Sequence, residues 1–201
     1  MNRQIFFKYI LLILILSSCG DKKLQPLSSD GIILAFGDSL TLGVGTSLEF
    51  SYPSQLARLT GLQVINSGVS GEVTDDGLIR LKEVLETLQP DLIILLEGGN
   101  DILRNKPFDS IESNLSKMIL LAQKDNIPVI LIGVPKKNLF SDTAPFYSEL
   151  ADQHQLIFDG EIISELLRSR SMKSDSVHFN QQGYRKLAEN IHQLIVDNGG
   201  L

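Results

Sequence analysis

Nearly continuous apolar runs alternate with amphipathic stretches along most of the chain. Runs that are apolar at successive positions are typical of strands covered on both faces. They predict five strands, at Gly31–Phe36, Leu62–Asn66, Asp91–Leu96, Ile127–Gly133 and Leu156–Phe158. Between the strands, apolar positions recur every three or four residues and predict helices at Pro53–Thr60, Thr74–Leu88, Ser110–Lys124, Thr143–Gln153, Glu161–Arg168 and from Asn180 to about Val196.

This alternation of strand and helix predicts an α/β fold with three layers, α/β/α. About five parallel strands would carry helices on both faces, in a flavodoxin-like arrangement. Such sheets bind ligands at the carboxyl ends of their strands. Three of these ends carry residues suited to acyl transfer: Ser39 in "FGDS", Gly68 in "NSGVSG" and Asn100 in "LEGGND". Right-handed crossovers bring these turns to the same edge of the sheet, so we expect the three residues to converge.

A fourth group lies just before the last predicted helix, in "SDSVHFNQQGY". Asp175 and His178 are three residues apart, and in a loop this spacing lets the carboxylate accept the Nδ1 proton of the imidazole. Nε2 is then free to take a proton from a serine. Each of these short patterns alone is also an ordinary cap, turn or surface pair. Their order and their shared edge favour a nucleophilic serine at position 39.

The same residues resemble a known family. "GDSL" (37–40), Gly68, "GGND" (98–101) and "DSVH" (175–178) resemble, in order, the blocks of the SGNH hydrolase superfamily, also called GDSL esterases and lipases. The resemblance extends from Ile32 to about Ile195 and is closest to the bacterial arylesterases, thioesterases and lysophospholipases.

The resemblance implies a serine hydrolase of carboxylic esters or thioesters that forms an acyl-enzyme on Ser39 and needs no cofactor. His178 would be the general base and Asp175 its orienting partner. The oxyanion hole would consist of the Ser39 amide, the Gly68 amide and the Asn100 side chain. Relatives commonly have proline after the histidine, whereas this chain has Phe179, so we expect His178 to be held less tightly.

Other functions remain open at this level. A carbohydrate O-deacetylase would use the same residues, and a non-catalytic, lipid-anchored binding protein would use the same pocket without turnover. The acyl length and the leaving group do not follow from the sequence. The net charge of −6 and the lack of a long basic run argue against nucleic acid as a partner. The three histidines are scattered, so we expect no metal site.

The first residues, "MNRQIFFKYILLILILSSCG", have the layout of a secretory signal: a basic start, an apolar run and small residues. An uncleaved anchor helix is the alternative. The segment 16–19 resembles a bacterial lipobox, which implies cleavage before Cys19 and lipid on that residue. Cys19 is the only cysteine, so an internal disulfide is excluded.

The predicted organisation is therefore a lipoprotein signal peptide at 1–18, a lipidated tether at 19–30 and a hydrolase domain at 31–201. We expect a bacterial protein that is exported and anchored by lipid to the cell envelope, at the outer membrane or facing the periplasm. Its partners would be a small acyl ester or thioester and, through the lipid, a membrane.

Overall fold

The computed structural model describes residues 24–137 and 142–201. The predicted signal peptide, the lipid attachment site Cys19 and the first part of the predicted tether lie outside the described residues. In the part that is described, no helix combines the length and the apolarity that are needed to cross a lipid bilayer.

Within these ranges, five parallel strands form one sheet, as the apolar runs predict. The strands are β1 (Ile32–Gly37), β2 (Gln63–Gly68), β3 (Leu92–Leu96), β4 (Val129–Ile132) and β5 (Ile157–Asp159). Their order is β2-β1-β3-β4-β5, which is the flavodoxin-like order. The chain runs outward in opposite directions from β1 and β3, so the switch point of the sheet lies between the ends of these two strands.

Helices cover both faces of the sheet. They are α1 (Ser39–Leu42), α2 (Tyr52–Thr60), α3 (Thr74–Thr87), α4 (Gly99–Leu103), α5 (Phe108–Lys124), α6 (Phe146–Gln153), α7 (Ile162–Arg168) and α8 (Gln181–Asp197). α2 packs against α8, whereas α3 packs against α5, and α5 against α6. The crossovers are all right-handed, but the chain moves toward one edge of the sheet from β1 to β2 and toward the other edge from β2 to β5. The two groups of helices therefore lie on opposite faces.

The residues that the sequence predicts to start or end helices lie at helix ends in the structure. Pro53 lies in the first turn of α2, and Gly61 ends that helix with a φ of 72°. The Asn180 side chain caps α8 by accepting hydrogen bonds from the N–H groups of Gln182 and Gly183. The pattern misses α1 and α4, which have only four and five residues, because so short a helix shows no 3.6-residue period.

The residues before β1 lie against the domain. Leu24 is buried, and its N–H donates to the Asn198 carbonyl at 2.8 Å. The Leu27 N–H donates to the Gly200 carbonyl at 3.0 Å. The described part of the predicted tether, from residue 24 onward, is thus fixed to the residues that follow α8.

Candidate active site

The predicted nucleophile begins a helix at the carboxyl end of β1. Ser39 is the first residue of α1, and Asp38 caps that helix by accepting a hydrogen bond from the Leu40 N–H at 3.0 Å. The strand end is closely packed, since a Cβ on Gly37 would lie 2.0 Å from the Leu96 carbonyl oxygen. This packing fixes the position of the Ser39 hydroxyl relative to β3.

Ser39, His178 and Asp175 form a continuous chain of hydrogen bonds. The Ser39 Oγ lies 3.0 Å from His178 Nε2, and His178 Nδ1 lies 2.8 Å from Asp175 Oδ2. The other carboxylate oxygen, Oδ1, accepts the N–H groups of Val177 and His178, both at 2.8 Å. Partial burial opposes ionisation, but these bonds lower the pKa of Asp175 to about 2. Asp175 therefore stays an anion that orients the imidazole.

The loop that carries His178 is anchored by Phe179. This side chain is fully buried and packs edge-on against Tyr184, with the ring centroids 5.5 Å apart. The Tyr184 hydroxyl in turn donates to the Val44 carbonyl at 2.7 Å. Burial of an aromatic ring thus holds the histidine loop at the position where the resemblance leads us to expect a proline.

Asn100 lies on α4, at the carboxyl end of β3, as predicted. Its Nδ2 donates to Asp38 Oδ2 at 3.2 Å. An amide nitrogen carries two protons, so one proton is held by Asp38 while the other can reach a substrate oxygen. Burial raises the pKa of Asp38 above its ordinary value, because the carboxyl group that orients Asn100 is removed from water.

The structure does not place Gly68 in the oxyanion hole. Its N–H donates to the Asn66 side chain at 3.0 Å, and a Cβ at this position would lie 2.1 Å from the Leu42 nitrogen. Gly68 therefore allows β2 to approach α1 closely, and its amide is already bonded. The prediction that Gly68 supplies an oxyanion donor is not supported by this geometry.

Gly71, three residues further on, lines the cavity beside Ser39, which Gly68 does not. It lines the same cavity as Ser39 and Asn100 and has a φ of +80°. Its carbonyl accepts a hydrogen bond from Arg104 at 2.9 Å, and its N–H has no acceptor among the described residues. The signal was present in the sequence as the second glycine of "NSGVSG", but the pattern did not tell which glycine turns toward the pocket.

Arg80 on α3 is a residue that the sequence analysis missed. It pairs with the buried Glu72 through Nε at 2.7 Å, donates to Ser67 Oγ at 2.6 Å and lies 3.9 Å above the Phe36 ring. One side chain thus connects the ends of β1 and β2 to the loop that follows Gly71. A planar guanidinium can make all of these contacts at once, whereas an ammonium cannot.

A cavity of about 780 Å³ opens at this edge of the sheet, and Ser39, Gly71, Asn100 and His178 lie in its wall. Much of the remaining wall is apolar, formed by Ile102, Leu103, Val134, Pro135, Leu167 and Val177. An acyl chain therefore has an apolar surface beside the nucleophile.

The wall also has a basic side, formed by Lys136, Lys137, Arg168, Arg170 and Lys173, which we call the basic rim. Arg168 pairs with Asp142 at 2.6 Å. Arg170 and Lys173 are not paired with a carboxylate in the described part of the chain. The rim contrasts with the net charge of −6 of the whole protein.

The remaining histidines, His154 and His192, do not line this cavity. His154 bonds instead to Ser116 Oγ at 2.8 Å. Among residues 24–137 and 142–201, no group of three or more histidine, cysteine, aspartate or glutamate side chains is arranged to hold a metal ion.

Several known proteins are similar to this chain in both sequence and fold. The chain is 32% identical over 178 residues to an arylesterase of Vibrio mimicus, covering 82% of this chain and 88% of that protein. It is 26% identical over 167 residues to the thioesterase 1/protease 1/lysophospholipase L1 of Escherichia coli K12, covering 78% and 79%. The crystal structure of AlinE4, an SGNH-hydrolase family esterase, matches with a TM-score of 0.66 and 30% identity, covering 85% and 97%.

Residues 35–186 match the GDSL-like lipase/acylhydrolase family. This range contains the end of β1 with its serine turn, Gly71, Asn100 and the loop that carries Asp175 and His178. The chain therefore belongs to the GDSL family of serine ester hydrolases.

Proposed function

We propose that Ser39 hydrolyses esters through an acyl-enzyme, with His178 as general base and Asp175 as its orienting partner. The observation that carries this proposal is the hydrogen-bonded chain from Ser39 Oγ through His178 to Asp175, with distances of 3.0 and 2.8 Å. The geometry satisfies the requirement that nucleophile, base and orienting group lie within hydrogen-bond reach of one another.

In the first half of the reaction, Ser39 Oγ attacks the ester carbonyl carbon while its proton passes to His178 Nε2. The carbonyl oxygen becomes an oxyanion, which the N–H groups of Ser39 and Gly71 and the free Nδ2 proton of Asn100 stabilise. The tetrahedral intermediate then collapses, and the leaving group takes the proton from His178. Water repeats these steps on the acyl-enzyme and releases the acid.

Arg80 acts as a positioning residue for this oxyanion hole. It touches no reacting atom, but it holds Glu72, the neighbour of Gly71, against the end of β1. Displacement of an oxyanion donor by about 1 Å can cost on the order of 10²-fold in rate. The Arg80 contacts therefore fix the distance between the Gly71 amide and the Ser39 hydroxyl.

The substrate we propose has an apolar acyl chain and an anionic leaving group. The apolar part of the cavity wall suits the chain, and the basic rim suits a phosphate or carboxylate. Similarity to a protein named as a thioesterase and lysophospholipase agrees with this class, and the arylesterase relative agrees with an ester hydrolase. A carbohydrate O-deacetylase is not favoured, because an acetyl group would leave most of this apolar surface unused.

We also propose that the mature protein begins at Cys19 and is anchored to the bacterial cell envelope by lipid on that residue. The support is the segment 16–19, which resembles a lipobox directly after an apolar run, and the absence of any other cysteine in the sequence. Several acyl chains anchor a protein stably, whereas one chain alone does not.

Replacement of the nucleophile tests the mechanism. Ser39→Ala is expected to lower kcat on a nitrophenyl ester by about 10⁴–10⁶-fold, because the attacking hydroxyl is lost. A fluorophosphonate should label the parent at Ser39 and leave the variant unlabelled. Ser70→Ala is the matched control, since Ser70 lines the same cavity and should retain activity. Full activity in Ser39→Ala, or labelling at another serine, would contradict the mechanism.

Replacement of Arg80 tests its positioning role. Arg80→Met/Glu72→Gln removes the pair without leaving a buried charge and is expected to lower kcat by about 10–100-fold with KM nearly unchanged. Arg80→Lys should recover only part of kcat. Lys82→Met, an exposed change on the same helix, is the control. If the double variant only melts at a lower temperature and keeps kcat when folded, Arg80 is a purely structural residue.

The basic rim is tested with two substrates that share an acyl chain, 1-decanoylglycerol and its 3-phosphate. We expect the phosphate ester to have roughly tenfold higher kcat/KM at low salt, and this preference to fall as salt rises. Arg170→Ala/Lys173→Ala should abolish the preference and leave the neutral ester unaffected. Lys117→Ala/Lys124→Ala, on α5, is the control. Equal kcat/KM for both esters in the parent would refute the anionic leaving group.

Lipid attachment is tested by expressing the full chain in a bacterial host. The parent should fractionate with membranes, and mass spectrometry of the intact protein should find an acylated N-terminal Cys19. Cys19→Ser should remain an uncut precursor or be released, with its esterase activity intact. An unmodified thiol at Cys19, or cleavage after this residue, would show that the segment is an ordinary signal peptide.

A further inference from the structure

The point at which the chain enters the domain is fixed at one end of the molecule. Leu24 is only 6% exposed, and the hydrogen bonds of Leu24 and Leu27 to Asn198 and Gly200 tie the segment 24–30 to the residues after α8. The Ile32 N–H donates to Asp91 Oδ2 at 2.7 Å, which fastens the start of β1 to the start of β3. The entry point therefore lies at the amino edge of the sheet.

The cavity lies at the opposite edge. His178 comes three residues before α8, and α8 ends at Asp197, next to the residues that hold Leu24. A helix of 17 residues is about 25 Å long. The length of α8 therefore separates the reacting groups from the place where the chain enters the domain.

Little chain is available to bridge this distance. Five residue steps separate Cys19 from Leu24 in the sequence, and they span at most about 18 Å when fully extended. This reach is shorter than α8. An anionic bilayer would attract the basic rim, but the attachment is too short to let the rim turn to the surface, so the geometry outweighs the charge.

We infer that, in the lipid-anchored protein, the active-site cavity opens away from the anchoring membrane, and that the substrates are esters arriving from the aqueous side rather than lipids of that membrane. This inference rests on the proposed anchor at Cys19. The substrates of the anchored enzyme would then include water-soluble anionic esters and esters on a surface that faces the membrane from across the aqueous space.

The test uses the full-length lipidated protein in vesicles. A fluorogenic long-chain ester is placed either in the same bilayer as the protein or in separate vesicles at the same lipid concentration, and a water-soluble short ester reports total activity. The parent should hydrolyse the short ester as fast as the Cys19→Ser protein does. It should hydrolyse the ester of its own bilayer no faster than that of the separate vesicles.

A lengthened attachment is the matched control. A flexible twenty-residue glycine–serine insertion between Lys23 and Leu24 adds a mean reach of about 25 Å and should raise hydrolysis in the protein's own bilayer at least tenfold. If the parent is already as fast as the insertion variant, or the variant stays as slow as the parent, the inference is wrong. If the parent does not float with the vesicles, the anchor itself fails, and the inference falls with it.

Orientation is measured directly on α5, which runs from the cavity edge to the amino edge. Asp109→Cys and Lys124→Cys place a fluorophore on exposed positions about 22 Å apart along this helix; acylated Cys19 offers no competing thiol. A quencher on the lipid headgroups should quench the label at 124 strongly and the label at 109 weakly. Equal or reversed quenching would overturn the inference.

Discussion

The pairing of β1 with strands on both sides is the constraint on which the catalytic arrangement depends. β1 pairs with β2 from Ile32 to Gly37 and with β3 from Ile33 to Gly37, so the ends of all three strands lie in fixed register. The nucleophile turn, the oxyanion loop and α4 each start from one of these ends. Small errors in register would move every group of the site, because a one-residue slip reverses the direction of each side chain.

Charge beneath the site is kept low despite several buried carboxyl groups. Glu97 is fully buried at the end of β3, and burial together with neighbouring Asp38 raises its pKa well above the ordinary value. Burial therefore favours the neutral form of the Glu97 carboxyl group. Arg80 compensates the charge of Glu72. Burial and ion pairing thus lower the negative charge of the carboxyl groups beneath Ser39.

The sequence predicts what depends on local chemistry and on topology. The five strands, the convergence of Ser39 and Asn100 and the Asp175–His178 pair follow from apolar runs, right-handed crossovers and a short loop spacing. What it misses depends on the directions in which backbone amides and side chains point. Gly68 and Gly71 are equivalent in a pattern, and only the packing of β2 on α1 decides which amide faces the cavity. Arg80 looks like an ordinary helix-surface cation until its contacts with two strand ends are known.

Phe179 links His178 to the hydrophobic core. A proline would restrict only the backbone at its own position and at the residue before it, whereas a packed phenylalanine holds the loop against the core and does so only while the core beneath α8 remains ordered. The position of His178 therefore depends on how well the apolar residues around Phe179 pack.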